Sequence, residues 1–173
     1  FMKMTLVTGA SGFVGSHLMK EMARRGLPVR GVTRGTVPDL GSVPSYGPEM
    51  DWNKYLEDID TVIHLAARVH VMRETASDPL ALFREANVAS TINLARQAAA
   101  AGARRFVFVS SIKVNGERTE PGKPFTAYDT PNPQDPYGIS KAEAEAARMA
   151  LGRETGLELV IVRPPLVYGL GAR

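Results

Sequence analysis

The chain contains no cysteine. Disulfide frameworks, thiolate nucleophiles, iron–sulfur clusters and cysteine zinc sites are therefore excluded. Histidine is scarce: His17, His64 and His70 are the whole complement. None pairs with another at the i, i+4 spacing, with a glutamate between, that a zinc-hydrolase helix requires, so no metal site is expected. No apolar run approaches the roughly 20 residues of a membrane span. No run of Lys and Arg exceeds two, and the 21 basic and 18 acidic residues are interspersed to a net charge of +3. Neither a nucleic acid nor an anionic membrane is expected as a partner, although the pI is near 9.3. The opening segment Phe1–Thr8 lacks the long apolar stretch and cleavage site of a signal peptide, so Met2 reads as the natural start and the cytoplasm as the default location.

What is present is the composition of one globular domain, residues 2–173, with 44% hydrophobic and 23% charged residues. At this size a chain buries roughly 70% of the surface its unfolded form exposes and needs no metal or disulfide staple. Short apolar runs alternate with helical patterns. Met4–Thr8, Val29–Thr33, Thr61–Leu65, Arg105–Ser110 and Glu158–Arg163 read as buried parallel strands because they carry Val, Ile and Leu without polar alternation. A weaker strand is expected near Pro48–Trp52. Helices are predicted over Phe13–Arg25, Leu80–Ala101 and Pro136–Thr155, and Gly26, Gly102 and Gly156 follow them where a left-handed C-terminal residue is wanted. This alternation predicts an α/β fold, a doubly wound parallel sheet of the Rossmann kind. Segments 35–48 and 115–136 read as loops, the second long enough to suggest a functional role. The sequence stops in a Gly-rich loop just past the last strand: either this is a minimal domain of this kind or a C-terminal half is missing, and the second is favoured.

Three motifs carry chemistry. Thr8-Gly9-Ala10-Ser11-Gly12-Phe13-Val14-Gly15 lies between a strand and a helix. Gly9 suits a tight turn, Gly12 a close approach of backbone to a pyrophosphate, and Gly15 close helix–strand packing, so Ser11, Phe13 and Val14 also fall against a dinucleotide. At the end of the second strand stands Gly31-Val32-Thr33-Arg34-Gly35, without the carboxylate that usually binds the ribose 2′-hydroxyl of NAD. Arg34 could pair with the 2′-phosphate of NADP, which favours NADP over NAD; a solvated loop arginine is the plainer alternative. Finally, Ser110-Ser111-Ile112-Lys113 closes a strand and Tyr137-Gly138-Ile139-Ser140-Lys141 opens a helix. Tyr137 and Lys141 are four residues apart, on one helix face. A neighbouring ammonium and a positively charged nicotinamide would move the phenol from its pKa near 10 toward neutrality, while a serine hydroxyl holds the substrate oxygen.

Taken together these residues resemble the extended short-chain dehydrogenase/reductases, in the branch of NAD-dependent nucleotide-sugar epimerases and dehydratases. The resemblance spans the whole chain through TGASGFVG (8–15), HLAA (64–67), NVAST (87–91), FVFVSSIKVNG (106–116), PYGISK (136–141) and RPPLVYG (163–169). It implies Tyr137 as general acid/base, Lys141 on the nicotinamide ribose and tuning Tyr137, and Ser111 on the substrate oxygen. It further implies Leu65, Ala66 and Ala67 along the cofactor, Asn87 under the active-site end of the sheet, and Pro164 and Pro165 shaping the turn by the nicotinamide. The activity it implies is 4-epimerisation of a nucleotide sugar with NAD or NADP. An NADPH-dependent 4-keto-sugar reductase is the alternative, and a non-catalytic NADP-binding sensor a third reading. A homodimer through helices 80–101 and 136–155 would follow the family. Departures are Asn115 where an aromatic is usual, Ser90 for a glycine, and Ser111-Ile112-Lys113 in place of the Thr-Asp-Glu of 4,6-dehydratases, which disfavours dehydration.

Other readings are weaker. Ser110 and Lys113 match an acylating-serine motif, but its partner motifs Ser-Asp-Asn and Lys-Thr-Gly are absent. His64, inside an apolar strand, is expected to be a structural histidine. His70 and Arg73 are readable as substrate-facing or as surface residues. The charges at 143–145 and 148–153 are expected on the solvated face of their helix.

Overall fold

A computed structural model describes residues 3–172 apart from 69–77; His70 and Arg73 lie outside the described residues. Six parallel strands form one sheet: β1 (Met4–Thr8), β2 (Val29–Arg34), β3 (Gly41–Val43), β4 (Ile59–His64), β5 (Arg105–Val109) and β6 (Glu158–Val162). Their order is β3-β2-β1-β4-β5-β6, so chain order reverses between β1 and β4. That is the switch point at which ligands bind in open α/β sheets. The helices are α1 (Phe13–Arg24), α2 (Asn53–Leu56), α3 (Pro79–Arg84), α4 (Ser90–Ala100) and α5 (Pro136–Thr155). The expected doubly wound Rossmann sheet is the observed one.

β1 shows why the apolar runs are continuous. Leu6 and Val7 are both fully buried but point to opposite faces. Leu6 joins the larger core with Trp52, Leu94, Phe106 and Phe108, and Val7 packs with Ala10 and Met22 under α1. Gly26, Gly102 and Gly156 adopt positive φ after their helices, where any side chain would be strained.

Three expectations are corrected. The weak strand is not at 48–52 but at Gly41–Val43, on the sheet edge. Residues 48–52 instead lead into α2, and their backbone is satisfied by side chains: Trp52 N–H donates to Gln97 Oε1 at 2.7 Å, while Asn93 and Gln97 amides both donate to Met50 O at 2.8 Å. Trp52 is thereby drawn into the core. The predicted helix 80–101 is broken by a π turn over Glu85–Ala89. Such a turn inserts a residue and re-aims one side chain, here Asn87.

The third correction concerns α5. Glu143 does lie near the surface, paired with Arg84 at 2.7 Å, but Glu145 and Arg148 are buried. Glu145 accepts from Arg163 at 2.6 Å, and Arg163 also donates to Asn115 Oδ1 at 3.2 Å, which ties α5 to the end of β6 and to the 115–135 loop. The Arg148 guanidinium lies 3.2 Å from the centre of the Phe108 ring, and none of its nitrogens has a hydrogen-bond partner. Burial pushes its pKa down to about 9, against the pull of Glu145. A charge held this way costs stability, whereas an apolar chain of similar length would pack against the same ring. Arg148→Met is expected to raise the unfolding free energy by about 1–3 kcal/mol, measured by urea denaturation.

Candidate active site

The glycine turn joins β1 to α1 at the switch point. Gly9 has φ +67°, and a Cβ there would lie 2.8 Å from Ala66 N. A Cβ on Gly15 would lie 2.2 Å from Gly9 O, so α1 could not rest on the turn with any larger residue. A Cβ on Gly12 would meet only Gly9 O, at 3.2 Å, and is otherwise open. No side chain caps α1, which leaves its first N–H groups available to an anion. The turn borders a cleft of about 900 Å³. Gly9, Ser11, Gly12, Phe13, Val14 and Gly15 form one wall, Arg34 stands at the end of β2, and Leu65, Ala66 and Ala67 continue β4 along another side. A cradle that Cβ atoms would fill, next to an uncapped helix, fits a dinucleotide pyrophosphate.

Thr33, Tyr46 and Arg68 also border the cleft, and sequence reasoning passed over them. The Ser11 and Thr33 hydroxyls are hydrogen-bonded to each other. Tyr46 follows no spacing rule that would mark it, since it sits in the irregular chain after β3.

Asn87 is buried and does not border this cleft. Its Oδ1 accepts from Arg68 N at 2.8 Å, and its Nδ2 donates to Arg68 O at 3.1 Å and to Ser140 Oγ at 3.1 Å. Ser140 in turn donates to Tyr137 O at 2.8 Å. The π turn thus links the chain after β4 to the first turn of α5. His64 is a buried structural histidine: its Nδ1 is 2.7 Å from Thr8 Oγ1, its Nε2 is 3.0 Å from Thr91 Oγ1, and burial holds its pKa well below the usual value.

Ser111, Tyr137 and Lys141 gather at the C-terminal end of β5, away from the cleft walls just described. Ser111 Oγ accepts from Lys113 N at 3.2 Å and starts a single 3₁₀ turn, Ile112–Val114. Pro164 lies alongside, its carbonyl accepting from Ile112 N at 3.0 Å. Asp135 caps α5, accepting from Gly138 N at 2.6 Å while its other oxygen takes Lys113 Nζ at 2.6 Å. One carboxylate therefore fixes both the Ser111 turn and the Tyr137 turn. Lys141 is buried, donates from Nζ to Val109 O at 2.9 Å, and lies 4.4 Å from the Phe108 ring centre and 5.8 Å from that of Tyr137.

The electrostatics differ from the simple sequence expectation. Burial raises the Tyr137 phenol above its ordinary value, hydrogen bonding with Ser111 and the charge of Lys113 pull it down, and Asp135 pushes it up. Burial, then the charge of Arg148, brings Lys141 down to about 7, against Glu145. In the protein alone, the lysine yields its proton before the tyrosine does.

A family model for the NAD dependent epimerase/dehydratase family matches residues 5–173. The chain belongs to that family. It is 43% identical over 176 residues to a UDP-glucose 4-epimerase of Vibrio cholerae, covering 99% of this chain and 54% of the relative. It is 33% identical to a GDP-6-deoxy-D-mannose reductase of Pseudomonas aeruginosa, over 91% of this chain and 50% of that protein. Among solved structures, MoeE5 in complex with UDP-glucose and NAD superposes with a TM-score of 0.82 at 33% identity, over 98% of this chain and 56% of that one. The UDP-glucose 4-epimerase of Thermus thermophilus in complex with NAD gives 0.79 at 27% identity, over 92% and 54%. The chain spans about half the length of the curated relatives it matches. No helix among the described residues is long and apolar enough to cross a membrane, and those residues hold no cluster suited to a metal ion.

Two outcomes follow. Gly15→Ala should abolish stabilisation by a dinucleotide, because Gly9 O must move; thermal shift with and without cofactor reads this. Lys141 has a folded pKa of about 7 against an unfolded one near 10.4, so the unfolded chain binds more protons across that interval. Stability should rise as pH increases from 7 to 10, and Lys141→Met should flatten that rise in urea titrations.

Proposed function

We propose that this chain carries the dinucleotide-binding and proton-transfer half of a nucleotide-sugar 4-epimerase. The observation that carries this reading is the meeting of Ser111, Tyr137 and Lys141 at the end of β5, joined through Ser140 and Asn87 to the glycine-turn cleft. The 43% identity to a UDP-glucose 4-epimerase supports the same substrate class, a nucleoside-diphosphate sugar.

Tyr137 Oη takes the proton of the sugar C4 hydroxyl, and Ser111 Oγ hydrogen-bonds the same oxygen so that it faces the phenol. Because Lys141 yields its proton first in the protein alone, the phenolate would depend on the positive nicotinamide ring of a bound cofactor, with Lys141, where it keeps its proton, adding to that stabilisation. The nicotinamide cofactor, when bound, supplies reversible hydride acceptance at C4. Gly9, Gly12 and Gly15 would admit its pyrophosphate against α1, with Ser11, Phe13 and Val14 along the same wall; Leu65, Ala66 and Ala67 would lie beside it, and Pro164 would shape the nicotinamide end. Inversion of C4 would require that the hydride held by the bound cofactor return to the other face of the turned keto-sugar, while Tyr137 Oη gives its proton back to the C4 oxygen. Elimination of water is disfavoured by the residues described around Ser111: Ile112 is apolar, and the Asp135 and Glu117 carboxylates are both held by Lys113.

A second reading, a 4-keto-sugar reductase using NADPH, is favoured by Arg34. It borders the cleft at the end of β2, where a carboxylate for NAD would otherwise stand. Steady oxidation of NADPH by a nucleotide keto-sugar would establish the reductase. Inversion of UDP-glucose at C4 without net cofactor consumption would establish the epimerase. In either case Tyr137→Phe in the full-length protein should lower kcat by about 10²–10⁴-fold with cofactor affinity retained, read by steady-state kinetics beside a cofactor titration.

A further inference from the structure

The chain between β3 and α2 reaches back to the glycine turn through one side chain. The Tyr46 hydroxyl accepts from Gly9 N at 3.1 Å and donates to Val32 O at 3.1 Å. Val32 O also accepts from Ala10 N at 3.1 Å, so turn, β2 and Tyr46 meet at one carbonyl. The Tyr46 ring is itself immobilised, stacked on Trp52 with centroids 5.9 Å apart and planes 25° from parallel. Trp52 is fully packed in the core and is the sole tryptophan. A second brace, between Ser11 and Thr33, holds the turn to the same strand.

Gly9 needs this help. Its positive φ is one of many conformations open to glycine, and a free Gly-rich turn loses much entropy when a ligand fixes it. A turn held by the protein's own hydrogen bonds has already met that cost, and the gain appears as affinity. We propose that Tyr46 is a positioning residue for the cofactor, pre-setting the Gly9 turn through its hydroxyl and so raising affinity for the adenosine-pyrophosphate half of any nicotinamide dinucleotide. The inference rests on the cleft being the dinucleotide site. Tyr46 acts apart from Arg34: the arginine would discriminate the 2′-phosphate, whereas the tyrosine serves both cofactors equally. A single hydrogen bond of this kind corresponds to about three- to tenfold in a dissociation constant.

Tyr46→Phe removes only the hydroxyl and keeps the stack on Trp52. Binding of NADH, NADPH and ADP-ribose would be followed through Trp52 emission in the parent chain, Tyr46→Phe and Arg34→Ala. The expected result is a loss of about three- to tenfold for all three ligands in Tyr46→Phe, and a loss confined to NADPH in Arg34→Ala. Hydrogen exchange at Gly9 should be faster in free Tyr46→Phe than in the free parent, and alike in both once saturated with dinucleotide. A merely structural tyrosine would not produce that ligand-dependent convergence. Unchanged affinities in Tyr46→Phe, or a Gly9 amide that exchanges without protection in the free parent, would overturn the inference while leaving the cofactor site in place. A parent chain that binds none of the three ligands would overturn the site reading and this inference with it.

Discussion

One buried amide holds the two halves of the site together. Asn87 faces the backbone of Arg68 on one side and Ser140 on the other, and it can do so because the helix that carries it slips into a π turn at that point. A regular helix would rotate the side chain away from one partner or the other. The cleft by the glycine turn and the Ser111, Tyr137 and Lys141 cluster by β5 are built on opposite sides of the switch point. Their spacing is set by hydrogen bonds through this residue rather than by direct contact. The buried His64, bonded to Thr8 before the glycine turn and to Thr91 one helical turn beyond Asn87, braces the same junction from inside the sheet.

The legible part of the structure was the part governed by short-range rules. Glycines that need positive φ, strands buried on both faces, and a Tyr/Lys pair at helical spacing each carry their reason within a few residues. The central strands and the glycine turn therefore read directly. What escaped depends on tertiary context. Gly41–Val43 is a strand only because β2 offers an edge to pair with, while Met50 and Trp52, which have the better strand composition, are claimed by Asn93 and Gln97. Glu145 and Arg148 have the charge of surface residues, and nothing in a helical pattern reveals that Arg163 and Phe108 await them. Tyr46 escaped for the same reason: its partner, Gly9, lies far away in sequence.

Positive charge is concentrated behind Phe108. Lys141 and Arg148 both lie against that ring, with His64 stacked alongside and Glu145 as the neighbouring carboxylate, itself engaged by Arg163. Burying two cations near one aromatic ring is unfavourable, and the lowered pKa values of both record it. The fold carries this cost beside Tyr137, and such perturbed groups cluster where a structure keeps a residue for its reactivity, the role proposed above for Lys141.

β6 has a different significance. It pairs with β5 on one side, and no strand among the described residues covers the other; Leu166, Tyr168 and Leu170 beyond it are almost wholly exposed. Its sequence, Glu158-Leu159-Val160-Ile161-Val162, contains one charge and no proline to blunt the margin. Such an edge is adhesive: its unpaired peptide groups template the addition of further strands. Any polypeptide segment lying alongside that rim would meet it through main-chain hydrogen bonds, so strand register more than side-chain chemistry would decide the fit.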